Sequence, residues 1–185
     1  MSTAALSVQN LYQAHTACWI LQDISFEVKL GTIAVLTGVN GVGKTTLLST
    51  IVGMKSATKG SVSVFGHKRR VDIEGEIEAR RNTVYLPHNC FLPSRLTVQD
   101  YLAAAGTLFE VPDQSLPDRI NALLSLFALE AARNQRLSSI SAGQKQKVAL
   151  ASALLSDRKL LVLDEPFSGG LDPAGLMALA RKSVV

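Results

Sequence analysis

The residues best suited to chemistry lie in the stretch GVNGVGKTT at residues 38–46. Their spacing fits the phosphate-binding pattern G-x-x-x-x-G-K-[ST]. Glycine lets the backbone turn tightly and bring its N–H groups against phosphate oxygens, because no Cβ lies in the way. Lys44 can then reach the β- and γ-phosphates, and the Thr45 hydroxyl can ligate Mg²⁺. The pattern predicts a nucleoside triphosphate site whose glycines are Gly38, Gly41 and Gly43.

A strand and a helix must position this glycine loop. The apolar run at residues 33–36 predicts the strand, after a turn at Gly31. A helix is expected to begin near Lys44, with the positive end of its dipole toward the phosphates, and to end at Gly53. The pair Lys59-Gly60 predicts a turn. Further short strands are expected at residues 7–10, 24–28, 61–65, 84–86 and 160–163.

The sequence KLLVLDEP at residues 159–166 supplies two adjacent carboxylates after an apolar run. In a protein with a phosphate-binding loop, this pattern predicts that Asp164 supports Mg²⁺ at the end of a strand. Glu165 could then orient or deprotonate the water that attacks the γ-phosphate. A buried strand that enters a polar loop gives the same pattern without any chemistry. The glycine loop upstream favours the functional interpretation.

Apolar residues recur at helical spacing between residues 97 and 155, which predicts a mostly helical segment, and a last helix is expected at 174–182. Within the helical segment, Ser141 precedes Gln144 by the spacing of a helix-capping box. Two interpretations of this motif stay open. It is either only a well-capped helix, or Gly143 also leaves the helix N-terminus open to a phosphate.

Together and in this order, the three motifs resemble the nucleotide-binding (ATPase) subunit of ATP-binding cassette (ABC) transporters, over nearly all 185 residues. Residues 38–46 resemble its Walker A motif, 140–144 its LSGGQ signature and 160–165 its Walker B motif. The resemblance implies an α/β fold: a P-loop NTPase core with a mixed β-sheet, an N-terminal antiparallel β portion and an inserted helical subdomain. In this single domain, the core would comprise about residues 1–95 and 156–185, and the helical subdomain about 96–155.

The same resemblance implies that the chain binds ATP and Mg²⁺, the metal through Thr45 and Asp164. Glu165 would be the catalytic base, and Lys44 would assist by neutralising charge on the phosphates. Two nucleotide-binding domains, identical or different, would close head-to-tail over two ATP molecules, and the signature of one would act on the γ-phosphate held by the other. By this likeness, further nucleotide-binding residues are Asn40, Thr46, His15, Ser141, Gly143 and Gln144.

Residues 85–102 resemble the family's Q-loop region, which touches a membrane-spanning transporter subunit. The sequence of this region and the EPFSG after the apolar run look closest to exporter-type subunits. The resemblance therefore implies that ATP hydrolysis powers transport through this partner. It also implies a cytoplasmic chain that is peripheral on the inner face of the cell membrane through the partner.

Two histidines depart from the family's pattern. His88 stands where the family has the Q-loop glutamine, and it is either a catalytic residue that offers a nitrogen to water or metal, or a surface loop residue. His15 stands where the family stacks an aromatic ring on adenine. Tyr12 or Trp19 nearby could substitute for that ring.

Further departures concern the C-terminal part. One extra glycine lengthens the family's D-loop at residues 167–172, and the family's switch histidine does not follow. The chain is therefore expected either to be truncated at Val185 or to work without that histidine. These departures leave two functions open: ATP hydrolysis that powers transport, or ATP binding with little hydrolysis by a truncated or regulatory subunit.

The composition bounds the remaining possibilities. With 47% apolar and 18% charged residues, the chain predicts one compact domain. A net charge of +4 is too weak to predict a nucleic-acid partner, which disfavours the ABC proteins that act on ribosomes or DNA. The basic run at residues 68–70 is expected to be a solvated loop face. Cys18 and Cys90 have neither CxxC nor zinc-site spacing and favour a reducing compartment, and neither a signal peptide nor a membrane span is expected.

Overall fold

The computed structural model describes residues 4–16 and 18–166, and the statements below concern this part of the chain. Its strands are β1 (Ala4–His15), β2 (Cys18–Lys29), β3 (Lys59–Val64), β4 (His67–Lys68), β5 (Thr83–Leu86) and β6 (Leu160–Leu163). Its helices are α1 (Lys44–Ile51), α2 (Ile73–Arg81), α3 (Val98–Leu108), α4 (Leu116–Leu126) and α5 (Ala142–Leu155), with a short 3-10 helix at Glu130–Ala132. The described residues divide into two compact units: those up to 84 with 158–162, and 85–157 with 163–166.

The first unit is built on an antiparallel sheet with strand order β2-β1-β3-β4. Its strands confirm the predictions at residues 7–10, 24–28 and 61–65, and the expected N-terminal antiparallel portion. β1 and β2 extend well beyond their apolar alternation, because irregularities in register let their pairing continue. The centre of the core consists of side chains that are at most 4% exposed, Val8, Leu11, Val62 and Val64.

The predicted strand before the glycine loop is wrong. Residues 33–36 carry neither helix nor strand, and Ile33 and Val35 are 63% and 80% exposed. An apolar run becomes a strand only where a neighbouring strand pairs with its backbone, and none of the strands described within residues 4–166 does so here. The predicted helix after the loop is confirmed as α1. It ends as expected, since Gly53 follows its last turn with φ 79°.

The pair Lys59-Gly60 is not the turn that its residue types predicted, because both residues open β3. Gly60 has φ 84°, and a Cβ there would collide with the carbonyl oxygen of Asn10 on β1. Glycine at this position therefore permits two strands to approach closely and does not reverse the chain. β3 ends before Gly66, as predicted.

The basic run at residues 68–70 is not the solvated face that its charge predicted. Arg69 is 8% exposed, and its Nε donates to the carbonyl oxygen of Ile51, at the end of α1, over 3.1 Å. Its other guanidinium nitrogens donate to Glu76 of α2 at 3.3 Å and to Thr83 of β5 at 3.1 Å. Burial lowers the pKa of Arg69, and the charge of Glu76 opposes that shift. One buried cation thus joins three elements of the first unit.

The second unit contains the helical part of the chain. The predicted helical segment is confirmed as α3, α4 and α5 with the short 3-10 helix, while the boundaries at residues 96–155 stay a prediction. Thr97 caps α3 by accepting the N–H of Asp100 at 3.1 Å. The core of this unit contains large side chains that are almost fully buried, Leu102, Leu124, Phe127, Leu129, Leu150 and Leu155. None of the described helices is long and apolar enough to cross a bilayer.

β5 and β6, both predicted, form a separate two-stranded sheet. The N–H of Leu160 donates to the carbonyl oxygen of Asn82 at 2.8 Å, and that of Asp164 donates to Leu86 at 2.9 Å. Because the two bonds advance equally along both strands, the strands run parallel. The second bond brings the residues that follow β6 beside those that follow β5.

Some predictions concern parts of the chain outside the described residues. These are the lengthened loop at 167–172, the expected helix at 174–182 and the chain end at Val185.

Candidate functional site

The glycine loop of the first unit uses backbone conformations that glycine adopts easily. Gly41 has φ 81° and Gly43 has φ 105°, both in the region that favours glycine. At Gly43 a Cβ would lie 2.9 Å from Cγ2 of Ile20 on β2. Glycine is therefore required at residue 43 for two reasons, the backbone angle and the closeness of β2. The predicted nucleotide-binding residues Gly38 and Asn40 lie in the same exposed loop.

Lys44 turns its side chain back onto this loop. Its Nζ donates to the carbonyl oxygens of Gly38 at 2.8 Å and of Val39 at 3.0 Å. A phosphate oxygen is a stronger partner for an ammonium group than a neutral carbonyl is, because charge assists the bond on both sides. The ammonium is thus held where an anion that enters the loop would meet it.

The N-terminus of α1 has no side chain over its first N–H groups. Its N-cap is Gly43, and its first turn contains no acidic residue. The first N–H groups of a helix have no acceptor within the helix, and the helix dipole adds partial positive charge there. The side chain of Thr45 is exposed, whereas Thr46 is half-buried. This end of α1 can therefore bind phosphate oxygens, and the Thr45 hydroxyl is an oxygen donor of the kind that Mg²⁺ prefers.

The N-terminus of α5 differs, because its own side chains cap it. The Ser141 hydroxyl accepts the N–H of Gln144 at 3.2 Å, and the side-chain oxygen of Gln144 accepts the N–H of Ser141 at 2.9 Å. The predicted capping box is therefore confirmed. Ser141 is exposed and Gly143 is half-buried. The second interpretation, in which Gly143 leaves this helix end open to a phosphate, stays a prediction.

In the second unit, the first of the two adjacent carboxylates is buried and held. Asp164 is only 3% exposed. Its Oδ2 accepts a 3.4 Å hydrogen bond from the hydroxyl of Tyr85 on β5. The sequence analysis did not identify Tyr85 as a site residue, and only the pairing of β5 with β6 reveals it. A carboxylate oriented in this way fits the donor set of a hard cation.

The second carboxylate is half-exposed and has a strained backbone. The side chain of Glu165 is 45% exposed, and its φ of 49° is uncommon for a residue other than glycine. Nδ1 of His88 lies 3.4 Å from its Oε2. The structure thus brings together two residues that the sequence analysis assigned to different motifs.

The residues considered for adenine stacking lie in the hairpin of β1 and β2. His15 is exposed at the end of β1. Tyr12 and Trp19 pack against each other edge-to-face, with ring centroids 5.6 Å apart. Nζ of Lys59 lies 5.9 Å and 5.7 Å from these two centroids, a cation–π arrangement that the sequence analysis missed. Stacking of His15 on adenine stays a prediction.

A groove of about 480 Å³ lies in the second unit between the loop after β5 and α5. Phe91 at its edge is 87% exposed. Burial raises the pKa of the Cys90 thiol. The groove is lined by His88, Asn89, Cys90, Phe91 and Leu92 of the loop and by Ala142, Lys145, Gln146 and Ala149 of α5.

Comparison with known proteins relates these features to a family. Residues 21–168 match the ABC transporter family. The chain belongs to this family. It is 34% identical over 170 residues to YxlF of Bacillus subtilis, an uncharacterized ABC transporter ATP-binding protein, and the match covers 92% of this chain and 55% of YxlF. It is 32% identical over 172 residues to PotA of Clostridium novyi, a spermidine/putrescine import ATP-binding protein, over 93% of this chain and 48% of PotA. The chain thus spans about half the length of these relatives.

A solved structure of an ATP-binding subunit of an ABC transporter has the same fold as this ABC family member. The two share a TM-score of 0.85 and 32% identity, over 97% of this chain and 73% of that one. The predicted resemblance and the predicted fold class, a P-loop NTPase core with an antiparallel portion and a helical part, are therefore confirmed. The roles of individual site residues and the likeness to exporter-type subunits stay predictions.

Proposed function

We propose that this member of the ABC transporter family binds Mg-ATP and hydrolyses it, and that hydrolysis powers transport through a membrane-spanning partner. The observation that carries the proposal is the uncapped N-terminus of α1 behind a glycine loop that also holds the Lys44 ammonium. Backbone N–H groups, a helix dipole and a cation converge at this loop. A triphosphate is the ligand whose charge and oxygens match them.

Binding would begin with an exchange of partners at Lys44. Its ammonium would leave the carbonyl oxygens of Gly38 and Val39 and bind β- and γ-phosphate oxygens, which are stronger acceptors. Asn40 and Thr46 would complete the phosphate-binding loop, as the family resemblance implies. The exposed His15, or Trp19 beside it, would stack on the adenine.

Mg²⁺ would be held by oxygen donors. The Thr45 hydroxyl and the Asp164 carboxylate have the hard-donor chemistry that this ion prefers. Tyr85 already orients Asp164 through its hydroxyl. Bound Mg²⁺ neutralises charge on the phosphate oxygens of the nucleotide.

Glu165 would act as the base of the hydrolytic step. The oxygen of a water molecule forms a bond to the γ-phosphorus, the bond from that phosphorus to the β–γ bridging oxygen breaks, and ADP leaves with the electron pair. The water proton passes to the Glu165 carboxylate. Lys44 stabilises the charge that develops on the phosphate oxygens during this step.

The signature helix would complete the reaction in a second subunit. The exposed Ser141, with Gly143 and Gln144 at the N-terminus of α5, would contact the γ-phosphate bound by another nucleotide-binding domain, identical or different. Closure of two such domains would drive the membrane-spanning subunit. The chain would then work in the cytoplasm, peripheral on the inner face of the membrane through that subunit, with no nucleic-acid partner.

The test measures ATP binding and phosphate release by the purified chain and three variants. Lys44→Ala is expected to weaken ATP binding by about tenfold or more, because an ammonium–phosphate contact is lost. Glu165→Gln should retain binding and lower turnover by roughly a hundredfold or more, because general-base catalysis is lost. Lys68→Ala, which removes an exposed lysine on β4, is the matched control and should change neither quantity.

The outcomes separate the proposal from its alternative. Turnover that Lys44→Ala and Glu165→Gln both abolish supports an ATPase. Binding without turnover in the unsubstituted chain supports the ATP-binding, poorly hydrolysing subunit. Absence of ATP binding by the unsubstituted chain would overturn the nucleotide-site assignment.

A further inference from the structure

The Glu165 carboxylate is contacted by a residue that follows a different strand. Nδ1 of His88, after β5, lies 3.4 Å from Oε2 of Glu165, after β6. We propose that His88 positions the Glu165 carboxylate, so that this pair of residues, and not Glu165 alone, prepares the attacking water. The inference rests on the proposed ATP hydrolysis and adds a positioning residue to it.

The backbone near His88 is fixed relative to the end of β6. Asp164 donates its N–H to the carbonyl oxygen of Leu86 at 2.9 Å, immediately before the chain reaches the contact on each side. Pro87 then precedes His88, and its ring fixes φ at that residue. These constraints limit how far His88 can move away from Glu165.

The backbone at Glu165 is constrained as well. Its φ of 49° is unfavourable for a residue with a Cβ, and such conformations persist only where the surrounding structure holds them. The next residue, Pro166, accepts a 3.4 Å hydrogen bond from Nε2 of Gln146 on α5. The turn therefore directs the side chain, and the contact with His88 defines the position of one carboxylate oxygen.

Stability does not explain the contact between His88 and Glu165. Their side chains are 43% and 45% exposed. Ion pairs between exposed groups contribute little to stability, because water screens them and both side chains lose freedom. The buried carboxylate of Asp164 has a separate partner, the hydroxyl of Tyr85. A contact that adds little stability yet orients the proposed base fits a positioning role.

The test compares ATP turnover by the full chain with turnover by variants at residue 88. His88→Ala is expected to lower kcat by about tenfold to a hundredfold, because the base is misplaced. The KM for ATP should change by less than about twofold, since the contact acts in the transition state. His88→Gln keeps a nitrogen donor of similar reach and should recover much of the loss. Asn89→Ala, an exposed neighbour in the same loop, is the control and should change neither constant.

A double-mutant cycle with Glu165→Gln decides whether His88 acts through Glu165. Single turnovers with the chain in excess over ATP allow the slow variants to be compared. If His88 acts through Glu165, adding His88→Ala to Glu165→Gln causes no further loss. An undiminished further loss, an unchanged kcat for His88→Ala, or a loss confined to KM would overturn this inference and leave the ATPase established. Absence of Glu165-dependent turnover in the unsubstituted chain would overturn the proposed function and this inference with it.

Discussion

The hydroxyl of Tyr85 donates to the carboxylate of Asp164 over 3.4 Å, and so joins β5 to the residue that follows β6. Asp164 is 3% exposed, and a buried carboxylate is costly unless it accepts hydrogen bonds. Glu165, the next residue, contacts His88 and stays half-exposed. Two consecutive carboxylates are therefore oriented by different side chains, which suits different tasks for each.

Tyr85→Phe is expected to lower the free energy of unfolding by about 1 kcal/mol, because it removes one hydrogen-bond donor from a buried carboxylate and keeps the ring. It should also raise the Mg²⁺ concentration needed for half-maximal ATP turnover, since Asp164 loses an orienting bond. Urea denaturation and a Mg²⁺ titration measure the two effects. Tyr101→Phe is the control, because the Tyr101 hydroxyl lies 3.4 Å from Ser152 and far in sequence from the carboxylates. An unchanged Mg²⁺ requirement in Tyr85→Phe would contradict the role given to Tyr85.

Gly43→Ala is expected to lose about 1–3 kcal/mol of stability through its left-handed backbone. It should also lose most ATP binding, because the new Cβ would press on Ile20 and distort the loop. Gly31→Ala is the matched control: it has φ 68°, but its Cβ would meet no atom within 4 Å. This control should lose stability and retain ATP binding. Thermal denaturation and equilibrium nucleotide binding test both variants, and normal binding by Gly43→Ala would refute the argument.

Substitutions at Ser141 separate helix capping from phosphate contact. Ser141→Ala removes the cap of α5 and should cost about 1 kcal/mol of stability, whereas Ser141→Asp retains a good N-cap. If Ser141 contacts a phosphate, the added negative charge should lower ATP turnover more in Ser141→Asp than in Ser141→Ala. The more stable variant would then be the less active one. Stability and turnover in the same order would mean that Ser141 only caps the helix.

Glu76→Gln tests the buried charge network around Arg69. Burial alone would raise the pKa of Glu76, but hydrogen bonds from Arg80 and from the N–H of Arg70, with the charge of Arg69, together lower it. The ionised side chain therefore contributes stability above the ordinary carboxyl pKa of about 4.3, and this contribution is lost as the pH falls through the lowered folded-state pKa.

The expected loss for Glu76→Gln at neutral pH is about 2 kcal/mol, because a charged hydrogen-bond acceptor is removed from a mostly buried site. The difference from the unsubstituted chain should shrink as the pH falls below about 4. Urea denaturation at several pH values measures it. Glu78→Gln, on the same helix but with exposed side chains in its ion pair with Arg81, should have little effect. A pH-independent difference for Glu76→Gln would contradict the assigned network.

Much of the fold was predictable because its signals are local. The glycine loop, the start of α1, the capping box at Ser141 and the apolar strand before Asp164 each depend on residues a few positions apart. Capping, glycine conformation and side-chain alternation act within such short segments. For the same reason, the candidate phosphate-binding loop and the two carboxylates were identified from residue types and spacing alone.

The sequence by itself thus determined the family, the positions of most helices and strands, and the residues with chemical potential. Only the tertiary structure decided that Arg69 is buried and that the apolar run at residues 33–36 is exposed. It alone paired Tyr85 with Asp164, 79 positions apart, and His88 with Glu165. These features depend on which elements become neighbours, because a side chain finds its partners, its burial and its strand pairing only after distant segments pack together.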